Sequence, residues 1–152
     1  VLAVLSDDAS AFQWASEELR NDTEVAVKAI EGDVENWRFV SDELLRNRAI
    51  VLAAMEGFSA MQDLSLGGAP ELLARTSEEL RDDREIVQLA LGSCGMGCIP
   101  AFLEVFSNIS TRLQCDAELV LEGLHRHGVD ELFPKLPVAT RSDFTVVRAV
   151  VS

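Results

Sequence analysis

Basic residues are scarce in this chain. Thirteen Lys and Arg stand against 26 Asp and Glu, a formal charge of −13. Backbone binding to nucleic acid relies on neutralising phosphates with Lys and Arg, so nucleic acid is disfavoured as a partner. Anionic membrane surfaces are disfavoured for the same reason. The bland reading of the acidity is a soluble helical surface; the sharper one is a basic partner surface. Cysteine is scarce too. Cys94, Cys98 and Cys115 are too few and too clustered to staple a secreted scaffold. That points to a reducing intracellular or organellar compartment, with the soluble side of a plastid among the candidates. No apolar run reaches the ~20 residues that a membrane span needs. The start carries no signal peptide and no basic, Ser-rich transit segment. It begins with Val rather than Met, and so reads as a fragment or a processed product.

What the chain does have is repetition. The phrase Ser77-Glu-Glu-Leu-Arg-Asp-Asp-Arg-Glu-Ile-Val87 occurs earlier as Ser16-Glu-Glu-Leu-Arg-Asn-Asp-Thr-Glu-Val-Ala26. Worn copies run from Ser41 to Val51 and from Ser110 to Val120. Aligned on the last residue, the anchors are Ala26, Val51, Val87 and Val120, with Val1 and Val146 in the same register. Their separations are 25, 25, 36, 33 and 26 residues. A base period of about 25 is the scale of one supersecondary unit in a solenoid.

The aligned columns have physical meaning. Four residues before each anchor stand Asp22, Asn47, Asp83, Asp116 and Ser142, all good helix N-caps. Three past it the residue is small (Ala29, Ala54, Ala90, Gly123, Ala149), and the next is aliphatic, which predicts close helix packing. Seven before stand Leu19, Leu44, Leu80, Leu113 and Ala139. Fourteen before stand Phe12, Trp37, Leu73, Phe106 and Leu132. These columns are the expected core, each unit burying its face on the next. Val1–Leu5 reads as the tail of one more anchor helix. Two units carry insertions, at about 59–70 and 92–100, and Pro134 and Pro137 erode the fifth copy. The whole of 1–152 is expected to be one all-α domain, a solenoid-like array of short helix-turn-helix repeats.

Candidate chemistry is thin. Cys94-x-x-x-Cys98, with Cys115, His125 and His127, is the one metal-like grouping. The first spacing suits a zinc pair, but two histidines two apart on a helix point to different sides. Loop and core thiols are the favoured reading of all three cysteines. A redox pair of Cys94 and Cys98 is the sharper alternative, since a Gly-rich loop can bring them together. Gly92-x-x-Gly95-x-Gly97 follows a predicted helix rather than a strand, so it is not a dinucleotide loop. Glu17/Glu18 and Glu78/Glu79 sit at helix starts, where acids complement the dipole, rather than in a cleft suited to acid–base work. Trp14, Trp37 and Phe39 recur in register, which favours packing in the core or between repeats over a ligand cage. Arg20, Arg46 and Arg81 are expected to pair with surface acids. No catalytic residue and no cofactor is expected.

The segments Ala15–Val25, Thr76–Ile86 and Val51-Leu-Ala-Ala-Met55 resemble the repeat family catalogued as domain of unknown function 4116, whose units read AS-EELR-D-EVVLAAV. The resemblance covers Ala9–Met55 and Thr76–Leu91 best and thins after Leu91. It implies short-helix repeats and hands over no catalytic residues. The resulting expectation is a non-enzymatic scaffold for protein–protein contacts, an accessory subunit of a larger assembly. The apolar chain ends motivate a specific version, an organellar membrane complex such as a photosystem.

Overall fold

Capping sets where the long helices begin. In the computed structural model, which describes residues 9–61, 68–95 and 97–151, Asp22 Oδ1 accepts from the Val25 amide at 3.0 Å. Asn47 accepts from Ala49 at 3.0 Å. Asp83 accepts from Glu85 and Ile86, and Asp116 from Glu118 and Leu119. Each satisfies amides that a helix start leaves free. A second, shorter signal precedes three of these caps. Ser41, Ser77 and Ser110 accept from the amides of Leu44, Leu80 and Leu113, each opening a single short turn of helix. Ser16 stands at the same place but makes no such side-chain bond.

The α-helices are α1 (Glu17–Arg20), α2 (Thr23–Gly32), α3 (Arg48–Ala60), α4 (Gly68–Arg75), α5 (Glu78–Arg81) and α6 (Arg84–Ser93). They continue with α7 (Ile99–Asn108), α8 (Thr111–Gln114), α9 (Ala117–His127), α10 (Val129–Leu132), α11 (Val138–Ser142) and α12 (Phe144–Val150). Short 3₁₀ turns lie at Ala9–Trp14, Val34–Phe39, Leu44–Arg46 and Phe133–Lys135. No strand occurs among the described residues. The protein is all-α, as its pattern predicts. Helix α2 packs on α3, α3 on α6, α4 on α7, and α9 on α12.

The expected columns form one continuous core. Phe12, Trp37, Leu73, Phe106 and Leu132 are all fully buried. So are the anchors Ala26, Val51, Val87 and Val120, and the small positions Ala29, Ala54 and Ala90. Burying one large apolar side chain contributes ~1.5–3 kcal/mol, so this column outweighs any surface feature. Gly123 completes the small column for a visible reason. A Cβ there would meet the Phe102 ring at 2.4 Å. Polar ties are few. Buried Asn36 donates from Nδ2 to the Ala29 carbonyl at 2.9 Å, pinning the turn after α2 to that helix.

The structure corrects several expectations. The last long helix is capped by Asp143, not Ser142; Asp143 Oδ1 accepts from Thr145 and Val146. Ser142 is the final residue of α11. Leu132 keeps its place, so one extra residue has entered between it and the cap, in the stretch that holds Pro134 and Pro137. By the cap, Thr140 replaces Ala139 in the leucine column and is buried. In the second unit Leu45 rather than Leu44 is fully buried, because that turn is 3₁₀ and rotates the side chains. Trp37 is buried as expected, but Trp14 is 83% exposed and Phe39 lies at the surface. The reading of Val1–Leu5 and most of the first insertion, 62–67, lie outside the described residues. The second insertion shrinks to a loop, because α6 runs to Ser93 and α7 begins at Ile99.

Candidate functional site

The cysteine loop is built by the end of α6 and the start of α7. Cys94 is buried, and its Sγ lies 3.5 Å from the Ala90 carbonyl, one turn back. Burial pushes its thiol up to about 12, and neighbouring Cys98 adds to the rise. A thiol held protonated in this way is a poor nucleophile and a poor metal ligand. Cys98 is half-buried at the N-cap of α7, and half-buried Cys115 ends α8. Burial, then the Asp143 charge, raises the Cys115 thiol as well. All three thiols are free. Among the described residues no three His, Cys, Asp or Glu side chains come together around a possible metal position.

The two histidines diverge as their spacing predicts. His125 is exposed. His127 is buried against Phe102, with ring centroids 5.0 Å apart, and neither ring nitrogen has a hydrogen-bond partner among the described residues. Burial lowers its pKa first, and the adjacent Arg126 charge lowers it further. Phe102 also stacks on Phe106 at 5.6 Å. His127 is thus part of an aromatic cluster joining α7 to α9.

Glu17, Glu18, Glu78 and Glu79 are all exposed. Two open grooves run past Glu78. One is lined by Arg46, Arg75, Thr76, Ser77, Glu78 and Glu79. The other lies one unit on and is lined by Glu78, Arg81, Asn108, Ile109, Ser110 and Thr111. Their linings sit at matching places around the serine-capped turns, so they are two copies of one surface feature.

The arginines are where sequence reasoning missed most. Arg20, Arg46 and Arg81 form no ion pair with a described residue, and the buried Nε atoms of Arg20 and Arg81 meet no hydrogen-bond partner among those residues. Other arginines carry the cross-links. Arg48, the first residue of α3, reaches the cap of α6 at Asp83 (2.7 Å) and also Glu85. Arg84, the first residue of α6, reaches the cap of α9 at Asp116 (3.7 Å) and also Glu118. The same contact is therefore made twice, between successive copies of the phrase. Arg48 holds Asp83 below the ordinary carboxylate range. Arg38 pairs with Glu71 and Arg75 with Asp42, and both guanidinium groups lie over the Trp37 ring at 4.9 and 5.5 Å. Arg112 pairs with Asp82, which also accepts from the Ser110 hydroxyl. The signal for the first pair was present: an Arg just after the cap at both 48 and 84, with acids waiting at 83, 85, 116 and 118.

No helix among the described residues is long and apolar enough to cross a membrane. Residues 1–45 match the family described as Domain of unknown function (DUF4116). That stretch contains the first copy of the phrase and the first two large core residues, Phe12 and Trp37. No curated protein and no solved structure matches the chain.

Proposed function

We propose that this chain, opening with its DUF4116 unit, is a solenoid-like array of helix units that serves as a non-enzymatic scaffold for protein–protein contacts. In this reading it is an accessory subunit of a larger assembly, of which an organellar membrane complex such as a photosystem is one specific form. The observation that carries the proposal is the fate of the positive charge. Seven basic side chains (Lys28, Arg38, Arg48, Arg75, Arg84, Arg112 and Arg126) are held in ion pairs within the chain. With 26 acids against 13 bases, this leaves a strongly acidic outer surface. Such a surface favours a basic partner and speeds encounter with it. The grooves beside Glu78 and Glu79 repeat along the chain, as the concave surface of a repeat scaffold would.

The test is gentle native co-purification from the source cells, with mass spectrometry of what accompanies the chain. A stoichiometric partner that leaves as salt is raised is the expected result. The chain recovered alone and monodisperse would sink the scaffold reading. A thiol or metal role would show in the same assay, since replacing Cys94, Cys98 and Cys115 with Ser would then abolish function rather than leave it intact.

A further inference from the structure

The two grooves beside Glu78 carry charges that the fold leaves over. One is lined by Arg46, from the end of one copy of the phrase, and by Ser77, Glu78 and Glu79, from the start of the next. The other repeats this arrangement with Arg81 from the end of that copy and Ser110 and Thr111 from the start of the one after, and Glu78 lines it too. The Ser110 amide donates to the Arg81 carbonyl at 3.1 Å, which holds these two turns side by side. Pairing is the rule for the neighbouring arginines. Arg75, in the first groove, pairs with Asp42, and Arg112, next to Thr111, pairs with Asp82. Arg46, Glu78 and Arg81 form no ion pair with a described residue. With 26 acids for 13 bases, this is no shortage of candidate partners. Because Glu78 lines both grooves and each arginine only one, the face presents positive, negative and positive charge in that order. Both grooves are formed well inside the chain, with α2 before them and α9 after.

We propose that this face binds an extended segment of a partner protein whose charges run negative, positive, negative, its acids on Arg46 and Arg81 and its base on Glu78. The spacing suits such a segment. Arg46 and Arg81 lead into α3 and α6, which pack on each other, and packed helices lie ~8–10 Å apart. A polyproline II segment has three residues per turn, so every third side chain returns to the same edge after ~9 Å. Acids three residues apart, with a base between them, then reach both arginines at once. A guanidinium takes a carboxylate through two parallel hydrogen bonds, so each acid is oriented as well as attracted. Other occupants fit less well. A free inorganic anion answers one arginine and lies against Glu78. A purely acidic segment meets Glu78 and a chain of net charge −13, and a second copy brings that same charge again. A purely basic segment meets the two arginines. The face therefore selects alternation of charge rather than net charge, which adds a specific contact to the general pull of an acidic surface.

The inference rests on the repeat reading above, but its site is tested separately. The probe is a synthetic peptide of repeating Glu-Lys-Pro, which is extended and has no net charge. The comparison peptide has the same composition, with its Glu and Lys sorted into two blocks. Binding to the whole chain at low salt is measured by titration calorimetry. The alternating peptide is expected to bind at least about fivefold more tightly than the blocked one. Arg46→Gln, at an exposed position, is expected to weaken that binding by about fivefold, and Arg81→Gln by a similar factor. The two losses should multiply, as separate grooves require. Lys28→Gln removes the same charge from α2 and should leave the affinity unchanged. Equal or tighter binding of the blocked peptide would overturn the proposal. So would no binding of the alternating peptide, or binding that ignores Arg46→Gln. A chain that captures a partner from its cells yet ignores the alternating peptide would leave the scaffold reading standing and this one fallen. A chain that binds the peptide through Arg46 yet is recovered alone from its cells would keep this face and remove the accessory-subunit reading.

Discussion

His127 is the buried group with most to lose on ionising. Its ring sits against Phe102 with neither nitrogen bonded to a described residue, and its pKa is lowered by burial and then by Arg126. The unfolded chain therefore takes up the proton first, near its ordinary value of 6.5. The contribution of neutral His127 is complete above that value and is lost as pH falls below it. Urea unfolding between about pH 7.5 and about pH 5.5 should show stability falling in this window. His127→Phe should flatten that slope and leave neutral-pH stability unchanged or raised, because no unpaired polar atom stays buried. An unchanged slope would place its origin in other groups. Asp83 poses a different question, since one carboxylate both caps α6 and holds Arg48. Asp83→Ala should lower stability by ~1 kcal/mol, and Asp83→Asn by a fraction of that, because Asn keeps the capping oxygen. Equal losses in thermal unfolding would mean that the bond to Arg48 matters more than the cap.

At the scale of elements, the joint between α7 and α9 is the tightest visible contact. Phe102 lies over Gly123 so closely that a Cβ there would stand 2.4 Å from its ring. Phe102 cannot swing away freely, because Phe106 and His127 hold it on other sides. Gly123→Ala should therefore lower stability by ~1–3 kcal/mol through overpacking. Adding Phe102→Leu, which withdraws the clashing edge, should recover part of the loss. A double-mutant cycle from denaturant titrations reads that coupling directly, and strict additivity would rule out the clash. This joint also marks how far the pattern could be read. The small residue at 123 was legible as one of a column, and so were four of the five caps, since Asp and Asn before an apolar run act locally. The partner ring was not legible. Phe102 comes from the insertion-bearing fourth unit, outside the columns, and only tertiary packing brings it to α9. The fifth cap failed through a slip of one residue near the prolines, which a fixed register cannot reveal. Trp14 failed otherwise, because sharing a column with Phe39 says nothing of which side of a 3₁₀ turn faces out.

For the molecule as a whole, two electrostatic effects act in opposite directions. The ion pairs between units are attractive, but their members are largely solvated. Arg84 and Glu118 are 45% and 80% exposed, and Arg48 and Glu85 are 48% and 61% exposed. Such pairs contribute little, and salt screens that little further. Against them stands the mutual repulsion of a chain with net charge −13. That repulsion acts over longer range, so a Debye length of about 10 Å at 0.1 M salt removes much of it. The long-range effect should win. Raising NaCl from low to moderate concentration should raise the melting temperature, and the rise should shrink as pH is lowered toward the isoelectric point of about 4.4, where the net charge vanishes. Trp37, buried in the core beneath two guanidinium groups, gives the fluorescence signal to follow. A melting temperature that falls with salt would mean that the arginine cross-links dominate. The acidity would then be balanced inside the fold, and the case for a basic partner surface would lose its main physical support.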